Sequence, residues 1–147
     1  MRDMISNNAA VDLGTATLSG TTPSASAWLD TRGFTAAAIE VLTGTVTDAG
    51  TAAGFTATLQ HSDTTAAVDA VDVAAAEASG GVTAVTVTDD ADDDLIAGVL
   101  GYVGNKRYIR VNYVGTTGTN AGVRTIGRLG RPHRAPTTYI GTKVAAT

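Results

Sequence analysis

Residues 61–63, His-Ser-Asp, hold the three side-chain types of a nucleophilic hydrolase triad. Their direct succession argues against that use. Neighbouring side chains of an extended chain point to opposite faces, so His61 is badly placed to take a proton from Ser62. The other histidine, His133, stands between Pro132 and Arg134, and two distant histidines do not make a metal site. Asp89, Asp90, Asp92, Asp93 and Asp94 form the densest charge cluster. Asp90, Asp92 and Asp94 alternate like the start of an EF-hand loop. However, Leu95 replaces the sharp-turn glycine and Gly101 replaces the bidentate glutamate. A solvated acidic turn is the favoured reading, with a looser loop calcium site as the alternative. Gly98, Gly101 and Gly104 precede Lys106, but Arg107 follows where a P-loop needs Ser or Thr. They read as glycines that let a strand bend or bulge. With no cysteine, disulfides, thiolate chemistry and cysteine zinc sites are excluded. The expectation is a non-enzyme without cofactor or metal.

The remaining chemistry is basic. Arg124, Arg128, Arg131, Arg134 and Lys143 crowd the C-terminal segment, with His133 and Tyr139 among them. Nucleic-acid binding is disfavoured, because Tyr139 is the one stacking aromatic there and the chain is acidic, with pI about 4.9. Arginines on an extended segment suit carboxylates or carbonyls of a neighbouring protein better. Charge is segregated along the chain. All 14 acidic residues lie within 1–94, beside only Arg2 and Arg32, and residues 95–147 hold the other eight basic residues and no acid. Two readings stay open: interleaved strands average this out, or the fold presents a polarised docking surface.

The elements that must position these groups read as strands. The 147 residues fit one domain, with 17 Gly, four Tyr, two Phe and one Trp. Thr and Val between short polar turns favour strands, and the Ala clusters lack the partners of an amphipathic helix. Alternation marks strands at 11–20, 24–30, 33–46, 55–63, 82–90, 95–103, 106–114 and 121–130. Residues 64–81 are ambiguous. Gly104-Asn105 suits a two-residue hairpin turn joining 95–103 to 106–114. In the second of these, Ile109, Val111 and Tyr113 share one face and Tyr108, Arg110 and Asn112 the other. The expected architecture is an all-β antiparallel sandwich or jelly roll of about eight strands over 11–130. It carries an N-terminal arm (1–10) and an extended C-terminal tail (131–147). Trp28 is expected as a core anchor or an oligomer contact. No apolar run approaches the ~20 residues that span a bilayer, and the N-terminus lacks a signal-peptide apolar region. A soluble protein made in a reducing cytoplasm is expected.

Three stretches resemble a group of small proteins encoded in the structural modules of tailed phages and prophages. They are LQHSD (59–63), GYVGNKRYIRV (101–111) and GRPHRAP (130–136), in that order. The resemblance implies a virion component of the capsid decoration (cement) type on the capsid surface. Its partners would be the major capsid protein and further copies of itself as dimer or trimer, with no nucleic acid or membrane. The basic segment read above then supplies the contact residues Arg124, Arg128, Arg131, His133, Arg134 and Tyr139. The alternatives are another virion part (head–tail joining, tail-tube or fibre-base protein) and a sugar-binding or adhesive β-sandwich module.

Overall fold

A computed structural model describes residues 7–47, 54–88 and 92–133. Among these residues ten strands run antiparallel in two sheets. They are β1 (Asn8–Ser19), β2 (Ser24–Ala25), β3 (Leu29–Asp30), β4 (Phe34–Thr47), β5 (Phe55–Ser62), β6 (Val71–Asp72), β7 (Ala84–Val87), β8 (Ile96–Tyr102), β9 (Tyr108–Gly115) and β10 (Asn120–Pro132). Sheet I has the order β1-β10-β4-β8. In sheet II, β9 and β5 are central, β2 and β3 lie on one flank and β6 and β7 on the other. Taking β2 with β3 and β6 with β7 as single positions leaves eight. Sheet I then reads 1-8-3-6 and sheet II reads 2-7-4-5. The pairs 1-8, 2-7, 3-6 and 4-5 describe a chain folded back on itself and rolled, which is a jelly roll. Among the described residues no helix is long and apolar enough to cross a membrane.

Alternation builds the core between the sheets. Ile39, Val41, Leu100, Val123 and Leu129 of sheet I face Phe55, Leu59, Ile109, Val111 and Tyr113 of sheet II, all at most 4% exposed. Phe55 and Tyr113 meet edge to face at 6.2 Å. The strand β1 bulges between Asp12 and Thr15, where Gly14 takes a φ of 97° and the Asp12 carboxylate accepts its N–H at 3.1 Å. The bulge turns the Leu13 carbonyl toward the β2–β3 link, where it accepts the Ala27 N–H at 3.0 Å.

Three expectations change. The strands at 95–103 and 106–114 exist, as β8 and β9, but they form no hairpin: β8 pairs with β4 in sheet I and β9 with β5 in sheet II. Residues 103–107 cross between sheets, wrapped around the Tyr102 phenol. Its hydroxyl accepts the Lys106 N–H at 2.9 Å and lies 2.4 Å from where a Cβ on Gly104 would be. Gly98 and Gly101 serve close packing: a Cβ would lie 2.4 Å from a Val85 methyl and 2.6 Å from the Ser79 Cβ respectively. Both sheet I termini reach further than expected, since β1 starts inside the expected arm and β10 ends inside the expected tail. The ambiguous 64–81 stretch holds three short 3-10 turns and β6.

Candidate functional site

The described parts of the three stretches that carry the phage resemblance, the last of them GRPH (130–133), meet at one end of the sandwich. The register places Ser62 beside Tyr108, Asp30 also beside Tyr108, Tyr102 beside Ala37, and Pro132 beside Phe34. The end of β5, the β8–β9 crossing and the end of β10 therefore share one rim with the start of β4.

Hydrogen bonds join them. Tyr102 Oη accepts the Lys106 N–H at 2.9 Å and shares a hydrogen bond with His61 Nδ1, 3.0 Å away. Burial pushes the Tyr102 pKa up, which keeps the hydroxyl protonated. Glu77 Oε2 lies 3.9 Å from the same His61 nitrogen. Lys106 Nζ donates to Asp63 Oδ2 at 2.5 Å, and that bond holds the ammonium pKa above its usual value. Arg107 grips Asp30 with Nε at 3.1 Å and a terminal nitrogen at 2.7 Å. This bond lowers the Asp30 pKa against an opposing contribution from burial. The Arg107 carbonyl accepts both the N–H and the hydroxyl of Thr31 at 2.9 Å. From the same corner the Gly33 carbonyl accepts the His133 N–H at 2.7 Å, and Thr35 Oγ1 donates to the Arg131 carbonyl at 3.2 Å. A polar chain thus runs from LQHSD through GYVGNKR to GRPH. Two cavities flank it. One of about 370 Å³ is lined by His61, Asp63, Thr64, Asp69 and Lys106, and one of about 190 Å³ by Phe34, Thr35, Tyr102 and Gly104.

The anticipated site residues divide. Arg124 donates to Asp12 at 2.7 Å, and Arg128 makes two 3.0 Å bonds to Glu40, so both arginines hold partners within the chain on the outer face of sheet I. Arg131 and His133 are exposed at the motif end. Arg131 takes a φ of 51°, and its guanidinium has no acidic partner among the described residues. Arg134 and Tyr139 lie outside the described residues. Trp28 is 7% exposed but stands apart from the core, on the outer side of sheet II. Its Nε1–H donates to the Thr65 carbonyl at 2.8 Å, and the Arg110 guanidinium covers its ring at 4.5 Å. A partner would meet Arg110 before the indole. His61, Ser62 and Asp63 face separate partners, since Ser62 Oγ accepts the Thr64 N–H at 3.0 Å. Asp89 and Asp90 lie outside the described residues, while the Asp93 carboxylate accepts the Val46 N–H. Among the described residues no group of three or more acidic or histidine side chains could hold a metal ion. The sequence reading assigned no role to Tyr102 or Asp30 and used Arg107 only to reject a P-loop. Two of these sit inside the GYVGNKRYIRV stretch, which was the available signal.

No family model matches the chain, and no curated protein matches it. The fold is not new. A solved structure of the PBSX exported protein XepA aligns with 92% of this chain at a TM-score of 0.52 and 17% identity. The chain corresponds to only 41% of XepA. Bacillus endospore appendages, which form disulfide-linked pili, align over 88% of the chain at 11% identity. Their TM-score of 0.35 is too low to carry an argument. The XepA likeness establishes the fold and leaves activity and partners to be argued from the residues.

Proposed function

We propose that this chain is a structural virion protein of the capsid decoration type, docking on the assembled shell through the motif end of the sandwich. One observation carries the reading. Stretches separated by up to 74 positions along the chain, LQHSD at 59–63 and GRPH at 130–133, build a single polar rim together with GYVGNKR. Packing alone does not call for that concentration of hydrogen-bonded polar side chains. The rim presents Arg131 without an acidic partner among the described residues, and Arg32, whose side chain is 73% exposed beside Asp30. Arg134 and Lys143 follow in sequence. Such arginines suit carboxylates on a protein surface, where paired bonds give both orientation and affinity. The likeness to XepA, a protein of the prophage PBSX, supports a phage-derived origin, and its exported character accords with a place outside the cell.

The test is co-sedimentation with expanded shells of the phage or prophage whose structural module encodes the chain. The full chain is expected to bind at a high copy number per shell. A chain ending at His133, or the Arg131→Glu/Arg32→Glu variant, is expected to lose most of that binding while melting within a few degrees of the parent. Failure of the full chain to bind shells, or its absence from purified particles, sinks the proposal. A copy number of six or twelve per particle points to a connector or tail part instead.

A further inference from the structure

The outer face of sheet I carries a charge pattern that is complementary to itself. Its outward residues form rows across the strands, set by the register. One row is Thr15, Arg124, Leu42, Ile96. The next is Asp12, Ile126, Glu40, Val99, and the third is Ala10, Arg128, Ala38, Gly101. Ile126 lies at the centre. Along its own strand it has Arg124 on one side and Arg128 on the other, and across the sheet it has Asp12 on one side and Glu40 on the other. Two positive corners and two negative corners make a quadrupole. The rest of the face is small or apolar, and Ile96 and Val99 are 59% and 53% exposed. Among the described residues the Ser79 turn reaches its edge at Gly101, and the rows around Ile126, Ile96 and Val99 stay uncovered. Beyond Arg124 a groove of about 460 Å³ opens over Gly122 and Gly44, walled by Thr15, Thr17 and Leu42.

We infer that this face binds a second copy of the same chain, with the two sheets crossing at about 90°. Charge selects the angle. Were the strands aligned, a twofold axis along them would set Arg124 over Arg124 and Arg128 over Arg128. A twofold axis at about 45° to the strands exchanges the two directions and sets arginine over carboxylate at all four corners. The spacing allows it, because outward neighbours are ~6.7 Å apart along a strand and strands are ~4.8 Å apart, a mismatch an arginine side chain absorbs. In the arrangement that uses the groove, Glu40 of one copy faces Arg124 of the other, Asp12 faces Arg128, and Val99 enters the groove over Gly122. Crossed four-stranded sheets overlap over only ~20 Å by ~20 Å, below the ~800 Å² per partner of a standard stable interface. The dimer is therefore weak in solution, and holding copies side by side on a scaffold would populate it. The inference rests on sheet I alone and stands or falls separately from docking at the motif end.

The experiment is sedimentation equilibrium of the full chain from ~10 µM to ~1 mM, with folding of each variant checked by circular dichroism melting. The parent is expected to dimerise reversibly, at least ~tenfold more weakly when salt is raised from ~0.05 M to ~0.5 M. The variants Asp12→Lys/Glu40→Lys and Arg124→Glu/Arg128→Glu are each expected to be monomeric alone, through repulsion of like corners, and to form a mixed dimer when combined. That recovery cannot come from the pairs within one chain. Gly122→Leu provides a second arm if the charge variants unfold. Its Cβ would have no neighbour closer than 3.8 Å, so the fold accommodates it while the side chain fills the groove. It is expected to be folded and monomeric. A parent that stays monomeric at ~1 mM overturns the inference, as does a folded variant pair that does not combine, or a Gly122→Leu chain that dimerises like the parent.

Discussion

At the residue scale the clearest case is Tyr113. Its ring is 1% exposed in the core, and its hydroxyl lies 2.5 Å from Thr125 Oγ1, another buried group. Burial pushes its pKa up to about 12, with the Thr125 bond pulling the other way. The folded state thus holds the phenolic proton more tightly than the unfolded chain, whose tyrosines titrate near the ordinary value of 10.0. Stability from this difference is complete below pH 10 and is lost as pH rises through about 12. Two pH units correspond to about 2–3 kcal/mol. Urea denaturation between pH 8 and 12.5 should show that decline. Tyr113→Phe should remove most of the slope while costing about 1 kcal/mol at pH 8, because Thr125 loses its partner. Tyr102, also raised by burial, should account for part of the slope that remains. A Tyr113→Phe chain with an unchanged slope would show that this hydroxyl is not the coupled group.

At the element scale the glycines separate close packing from open surface. A Cβ on Gly115 would lie 2.3 Å from the Gly20 carbonyl oxygen and 2.8 Å from Thr119, and backbone does not yield cheaply. On Gly127 a Cβ would lie 2.7 Å from a Leu29 methyl, which can shift. On Gly122 its nearest neighbours are 3.8 Å away. Alanine substitution should therefore rank Gly115 worst at ~3 kcal/mol or more, Gly127 intermediate at ~1–3 kcal/mol, and Gly122 near neutral. Thermal melts of the three variants check the order, and equal losses would reject it. The contacts with Gly20, Leu29 and the Gly44 strand cannot be read from sequence, because they join residues distant along the chain. What alternation does reveal is which side of a strand faces inward. Ile109, Val111 and Tyr113 were legible for that reason, and all lie within the core at 1% exposure or less. Partner choice was not legible. Gly104-Asn105 has the composition of a tight turn, yet β8 and β9 belong to different sheets. A turn signal constrains local dihedral angles, whereas the sheet a strand joins depends on β4 and β5, some 50 to 60 residues away. The motif end was half legible for the same reason. Its stretches could be quoted one by one, but not the Tyr102–His61 and Arg107–Asp30 contacts that join them.

At the scale of the whole molecule, topology decides what the segregated charges mean. The roll pairs late strands with early ones, so the basic half of the chain lies over the acidic half. Lys106 meets Asp63, Arg107 meets Asp30, Arg124 meets Asp12 and Arg128 meets Glu40. Of the two readings left open by the sequence, these four pairs support averaging. They are surface pairs screened by solvent, so they confer register more than stability. The same topology constrains folding. The last strand, β10, sits between β1 and β4, so sheet I lacks its interior until the C-terminal residues are present. Val123 and Leu129 reach the core only from that strand. A chain ending at Gly118 should therefore leave β1 without its sheet partner and show no cooperative melt, although about four fifths of the sequence remains. A chain ending at His133 keeps all of β10 and should melt like the full protein. Non-local pairing throughout also makes the intact chain a slow folder, on the order of milliseconds to seconds. Stopped-flow refolding monitored by Trp28 fluorescence, run beside melts of both truncated chains, checks these expectations. Cooperative folding of the chain ending at Gly118 would mean that sheet II and β1–β4–β8 form a stable unit without β10, and the central role given to that strand would be wrong.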